Sequence, residues 1–266
     1  MSTAALPEHT APRPFVWSPA ARAGALALLA YLVYALASLD FTWARFVTGL
    51  DNGARFLGRM IPPDLSRLDI LWKGLVETLQ IAVLASGLGI ALSLPLGLLA
   101  ARNLMPAWVT WPVRALVVLC RSLHPVIVAI LFVKAVGFGA LAGILALVVA
   151  SVGFIGKLFA EAIEEISLKQ VEAVRATGAS FMNVVLFGVV PQVVSRFVGF
   201  ATYQFDSNLR NSTMVGIVGA GGIGGALFSA FQRFDYDFVC TILVSIVGLI
   251  VLTETLTNAM KKGLKL

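Results

Sequence analysis

Eight consecutive residues, Asp206-Ser207-Asn208-Leu209-Arg210-Asn211-Ser212-Thr213, put a carboxylate, a guanidinium, amides and hydroxyls inside an apolar run. A second apolar run carries Arg121, His124 and Lys134. A charge at mid-bilayer costs roughly 2.5–3.5 kcal/mol even on the lenient insertion scale, so such groups face a bundle interior or a water-filled path. Arginine, amide and hydroxyl donors complement the oxygens of an oxyanion such as a phosphoryl group. Arg210, Asn208, Ser212, Thr213, Arg121 and His124 are therefore the candidate pathway residues. Two readings of Arg210 stand: it faces the path, or it pairs with Asp206 four residues earlier on one helix face. His124, beside Pro125, has a second reading as a cap for carbonyls freed at a kink. Lys134 falls near an outer end, where its stem can snorkel.

Catalysis finds little support. His124 has no second histidine within reach in sequence, and Cys120 and Cys240 lie in apolar runs without metal spacing. Both cysteines read as packing residues with no disulfide, and neither catalytic residues nor a metal site are expected. Gly219, Gly221, Gly222 and Gly224 do satisfy G-x-G-x-x-G. A dinucleotide fingerprint needs a strand before it and a βαβ unit around it, and no such pattern is present. Gating or close packing in a membrane bundle is the better account of these glycines. The chain also lacks G-x-x-x-x-G-K-[ST], so ATP and its Mg are expected on a partner, with no cofactor on this chain.

The elements that position these groups are membrane helices. Apolar residues make up 59% of the 266 and charged residues 13%, and the mean hydropathy is +0.91. Soluble domains carry about 25% charged residues. The formal charge of +6 is spread between apolar runs rather than gathered in one patch, which argues against nucleic acid. Six spans are predicted, at Ala20–Leu39, Leu75–Ala100, Val113–Val136, Leu141–Phe159, Val193–Val218 and Phe238–Leu256. Trp17, Trp43, Trp72, Trp108 and Trp111 stand at their edges, as indoles at headgroup depth do. Arg13 and Arg22, Arg102 and Arg114, Lys157, Lys169 and Arg175, and Lys261, Lys262 and Lys265 then share one side. That side is expected to be the cytoplasm, with both termini inside. The loop from Asp40 to Lys73 is the exception, with five cations on the outer side; Phe41–Met60 is expected to lie along the interface. Basic residues followed by Ala35-Leu36-Ala37 also imitate a secretory signal, but a retained anchor is the preferred reading.

One polar island outside the spans has its own start and stop. Ser167 and Gln170 form a capping-box pattern, and Gly178 supplies a left-handed helix end. Leu168, Val171 and Val174 make an apolar stripe, leaving Lys169, Glu172 and Arg175 for another face. A short amphipathic helix at a membrane surface needs something to dock against, and another protein fits best.

Glu172-Ala173, Gly178 and Pro191 resemble the EAA loop of ABC importer permeases, whose coupling helix sits in a groove of the ATPase subunit. Val174 stands where the family has a second alanine. Gly188 replaces an aliphatic residue, which is expected to loosen the turn before Pro191. Glu77-Thr78-Leu79-Gln80, Ala100-Ala-Arg102-Asn103, Gly156-Lys-Leu-Phe-Ala-Glu161-Ala, Asn208-x-Arg210-x-Ser212-Thr213, Val218–Gly224 and Phe234-Asp-Tyr236 are similar to phosphonate-type ABC importer permeases. His124-Pro125 stands where that family has a Pro-Glu pair.

The resemblance implies an all-α type I importer transmembrane domain over residues 75–258, in the bacterial cytoplasmic (inner) membrane. Residues 1–19 and 259–266 would be cytoplasmic tails, and 20–74 the first span with its external segment. Glu172, Ala173, Arg175, Gly178 and Pro191 would couple to the ATPase. The implied partners are a second copy of this subunit, two ABC ATPase subunits and an external phosphonate- or oxyanion-binding protein. Alternating access would move phosphonate, phosphite, phosphate or another small oxyanion. The alternative is an ATP-independent secondary transporter, which needs intramembrane carboxylates; Asp206, Glu77 and Glu254 are the few on offer.

Overall fold

A computed structural model of the chain describes residues 18–39 and 42–263, with side chains as far as Ala259. Trp17, Arg13, Phe41 and Lys265, used above for topology, lie outside the described residues, as do most of the expected tails. The described residues are helical throughout, without strands. They fall into two units, one ending at Gly58 and one beginning at Arg59.

The first unit contains α1 (Pro19–Ser38) and α2 (Trp43–Gly58). Ser18 caps α1 by accepting from the Ala21 amide, and Pro19 takes the first turn, where its missing N–H costs nothing. No α1 side chain is buried, and Leu26, Leu29, Tyr31, Val33 and Leu36 are all exposed, as a lipid-facing helix requires. α2 carries Trp43, Phe46, Val47, Leu50 and Leu57 together with an Asp51–Arg55 pair at 2.5 Å.

In the second unit, α3 (Leu68–Ala100), α6 (Ala140–Glu164), α9 (Val190–Ile217) and α11 (Tyr236–Gly263) are the long helices. α4 (Ala107–Ser122), α5 (Pro125–Val136), α7 (Leu168–Ala176), α8 (Phe181–Val184) and α10 (Ile223–Gln232) are shorter. Five helical runs among the described residues are long and apolar enough to cross a bilayer, and α4 with α5 makes a sixth if counted together. The third span differs in its bounds from the expected Val113–Val136. It starts earlier, at Ala107, and bends by 93° at Leu123–His124. The cause is local: the residue before a proline avoids helical geometry, and His124 is extended at ψ 140°. His124 Nδ1 then accepts from the Val126 amide at 3.3 Å. It thus caps an amide at the bend, not the freed carbonyls expected of it.

The centre of the unit is the α3–α6 contact. Small residues line the buried face of α3, among them Ala82, Ala85, Gly89 and Gly97. A methyl group at Gly89 would overlap the Ser151 side chain, so only glycine allows this spacing. Ile81, Leu147, Val152 and Val215 fill the core around it.

α9 is entered through a π turn at Val185–Val189, which makes Phe181–Ile217 one continuous run. Pro191 explains the turn. It has no N–H to give to the carbonyl four residues back and its ring crowds that carbonyl, and the wider π turn relieves both.

Candidate functional site: a docking helix and a polar groove

α7 is seated on the end of the bundle, with Val171 in a buried cluster with Phe159, Ile163 and Val193, and is fixed there by a few specific bonds. The Ser167 amide donates to Gln192 Oε1 at 3.0 Å, while Gln192 Nε2 donates to the Gly188 carbonyl at 2.6 Å and to that of Ser167 at 3.4 Å. Glu165 pairs with Arg196 at 2.5 Å. The Ser167 side chain makes no capping bond, so the expected capping box is absent; the glutamine of the next span does its work. Gly178 is left-handed, at φ 77°, as the sequence indicated. Val171 is the buried point of the stripe, Val174 is half-buried and Leu168 is exposed. Gly188 lies inside the π turn itself. A Cβ there would lie 3.3 Å from Val171 Cα, so the glycine lets α7 seat on the π turn. Glu172, Ala173, Arg175, Gly178 and Pro191 are all exposed. The outward face of α7 is thus charged and unoccupied by this chain, while its inward face is anchored.

The polar residues of α9 divide into two groups. Asn208 is fully buried and ties three helices together: its Nδ2 donates to Ser86 of α3 at 3.0 Å and Ser151 of α6 at 2.9 Å. Its Oδ1 accepts from Gln204 Nε2 at 2.9 Å, and Gln204 also donates to Ser151 at 3.0 Å. Ser212 is buried and donates to the Leu209 carbonyl at 2.7 Å; Thr213 is buried against Gly224. Within this chain Asn208, Ser212 and Thr213 are closed off by packing and do not line an open path. Sequence reading missed Ser86, Ser151 and Gln204, single polar groups on otherwise apolar faces.

Arg210 is exposed and pairs with Asp206 at 2.6 Å, the geometry the four-residue spacing anticipated. Asp206 Oδ1 is buried without a hydrogen-bond partner in the chain. A neighbouring groove of about 210 Å³ runs between the α4–α5 bend, α6 and α9, lined by Arg121, Phe154, Tyr203, Gln204, Ser207 and Asn211 among others. Arg121 is its one charged group and makes no hydrogen bond or ion pair within the described residues. His124, on the bend itself, does not line this groove.

The glycine string is a close-packed turn. Gly219, Gly221 and Gly222 have φ of 86°, 82° and 81°, a region that side chains disfavour. Thr78 Oγ1 accepts from the Ile223 amide at 2.8 Å and donates to the Gly74 carbonyl at 2.8 Å, pinning the turn to α3. No strand is present among the described residues, and no group of side chains there could hold a metal ion.

Five apolar helical runs of crossing length among the described residues, six with the bent α4–α5 pair, together with a short charged helix seated on one end of the bundle and a polar groove between helices, define a multi-pass permease subunit. The chain belongs to the family of binding-protein-dependent transport system inner membrane components, whose model matches residues 93–265. It has the type I ABC importer transmembrane-domain fold and resembles phosphonate-type permeases within it. It is 40% identical over 220 residues to the phosphite transport system permease protein PtxC of Stutzerimonas stutzeri, covering 82% of this chain and 80% of that one. The phosphate-import permease protein PhnE of Mycolicibacterium smegmatis is 38% identical over 226 residues, covering 84% of this chain and 41% of that protein. This chain thus spans well under half of PhnE's length. Among solved structures, an inward-facing conformation of the MetNI methionine ABC transporter superposes with TM-score 0.66 at 27% identity, covering 75% of this chain and 98% of that one.

Proposed function

We propose that this chain is the membrane subunit of an ATP-driven importer of phosphonate, phosphite or phosphate. Two copies pair with two ATPase subunits, which hold the ATP and Mg, and an external binding protein delivers the oxyanion. The observation that carries this reading is α7: a helix anchored through Gln192, Gly188 and Val171, presenting Glu172 and Arg175 outward, is built to be pushed by a partner. With α7 in the cytoplasm, the basic clusters lie inside, as orientation requires. ATP-driven closure of the ATPases moves α7, which is tied to α9 through Ser167–Gln192, and the Glu165–Arg196 pair joins the end of α6 to α9 so that the motion reaches both. Alternating access follows. The permeases named above support an oxyanion rather than an amino acid, and the groove beside Arg121 offers the donors such an anion needs.

Uptake into proteoliposomes holding the reconstituted complex and its binding protein tests the reading. ATP inside should drive accumulation of phosphonate, phosphite or phosphate, and methionine should not accumulate. Accumulation driven by an ion gradient without ATP would replace the ABC reading with that of a secondary transporter.

A further inference from the structure

A second groove, of about 340 Å³, opens where α3, α4 and α6 meet at the end of the bundle that carries α7. Arg102, Arg114, Arg121 and Lys157 line it, with Glu161 as the acid among them. Arg114 is engaged by Glu164 at 2.5 Å and by the Ala100 carbonyl at 2.8 Å, and Lys157 by Glu161 at 3.2 Å. Glu164 also accepts from the Arg102 amide at 2.7 Å, which fixes the α3–α4 turn against α6. The side chains of Arg102 and Arg121 have no hydrogen-bond or ion-pair partner within the described residues. Four cations therefore face two carboxylates, and two of the guanidiniums are free.

The walls between them are apolar, formed by Val117, Val118 and Ala160, so the cations act across a surface of low dielectric. The volume lies in the range of ordinary ligand sites, roughly 300–1,000 Å³. Arg121 also lines the groove beside α9, so the two cavities share a cation. Trp108 and Trp111, exposed on α4 one to two turns before Arg114, mark the headgroup level at this end.

We infer that this groove binds a phosphate-type oxyanion, with Arg102 and Arg121 as the free donors and Arg114 and Lys157 as supporting charges. The shared chemistry is a tetrahedral oxyanion that arginine can grip with two bonds. Its source is either the free anion leaving the α9 groove through Arg121 or the headgroup of an anionic phospholipid, for which basic pockets between transmembrane helices are suited. The inference rests on the membrane topology above and, for the free anion, on the importer reading.

Equilibrium binding to the assembled complex decides it, without nucleotide or external binding protein, so that transport plays no part. Inorganic phosphate is one probe, and phosphatidylglycerol against phosphatidylcholine in nanodiscs is the other. The double variant Arg102→Gln with Arg121→Gln should lose at least tenfold in affinity for one probe, and Arg121→Lys, which keeps the charge but not the fork, should lose less than the double variant. Loss in the phosphate arm assigns the free anion, and loss in the phosphatidylglycerol arm assigns the lipid. Equal binding by wild type and a correctly assembled double variant in both arms would overturn the site, whether or not uptake is ATP-driven.

Discussion

Asn208 and Arg210 stand two residues apart on α9 and are put to opposite uses. Asn208 is spent inside the chain, holding Ser86, Ser151 and Gln204 at the meeting of three helices. Asn208→Ala would strip partners from those groups, and interhelical hydrogen bonds in membranes are worth roughly 0.6–2 kcal/mol. We expect a lowered melting temperature of the purified complex, with the residual uptake per folded complex little changed. Arg210, exposed and paired with Asp206, is the one that can meet a second molecule. If its guanidinium grips the anion with two bonds, Arg210→Lys should cut uptake about tenfold, one lost charge-assisted bond of ~1.5 kcal/mol. Arg210→Ala should cut it further, and adding Asp206→Ala should restore nothing. Recovery in the double variant would assign Arg210 to neutralising Asp206 alone.

At the scale of elements, the short helix α7 was legible because its signals are local. Gly178, the stripe around Val171 and the charges at Glu172 and Arg175 lie within one short segment. Its anchor was not legible, because Gln192 acts on Ser167 across 25 residues and only the fold brings them together. The same holds for the intramembrane residues. Composition shows that Asn208 is polar in an apolar run, but whether it faces a path or a neighbouring helix depends on the rotation of α9. The bend at His124–Pro125 was visible as a residue pair, yet its 93° angle was not. Two changes separate docking from anchoring. Glu172→Lys reverses a charge on the exposed face, so it should leave the complex inserted while weakening co-purification of the ATPase and abolishing uptake. Gln192→Ala leaves that face intact but frees the start of α7, so ATPase should still co-purify while ATP hydrolysis is uncoupled from uptake. Normal uptake in Glu172→Lys would remove the docking role.

The whole bundle is closed at the end opposite α7 by an ionic clamp. Arg67, just before α3, pairs with Asp64 at 3.0 Å and with Asp235, between α10 and α11, at 2.7 Å, and lies over the Phe238 ring at 4.3 Å. The Asp64 amide donates to the Asp237 carbonyl and Thr241 donates to that of Asp64, so the segment leading into α3 is stitched to α11. Asp64, Arg67 and Asp235 lie outside the candidate crossings Leu68–Ala100 and Tyr236–Ala259. Hydrogen bonds from Ser66 and then Arg67 hold the Asp64 carboxyl below its ordinary range, and Arg67 does the same for Asp235. Carboxyls depressed in the folded state contribute stability that is present above their unfolded value, about 3.9, and is lost as pH falls through the folded values. The clamp should therefore contribute equally from pH 8 down to about pH 5. Comparing the melting temperature of wild type with that of Arg67→Gln across pH checks this. The difference should be constant through that window and shrink only below about pH 4, as both aspartates take up protons. All three side chains are partly exposed, so the difference should be modest and should fall with added salt. A difference that instead collapses between pH 7 and pH 5 would show that some group other than these two carboxylates governs how α3 is held to α11.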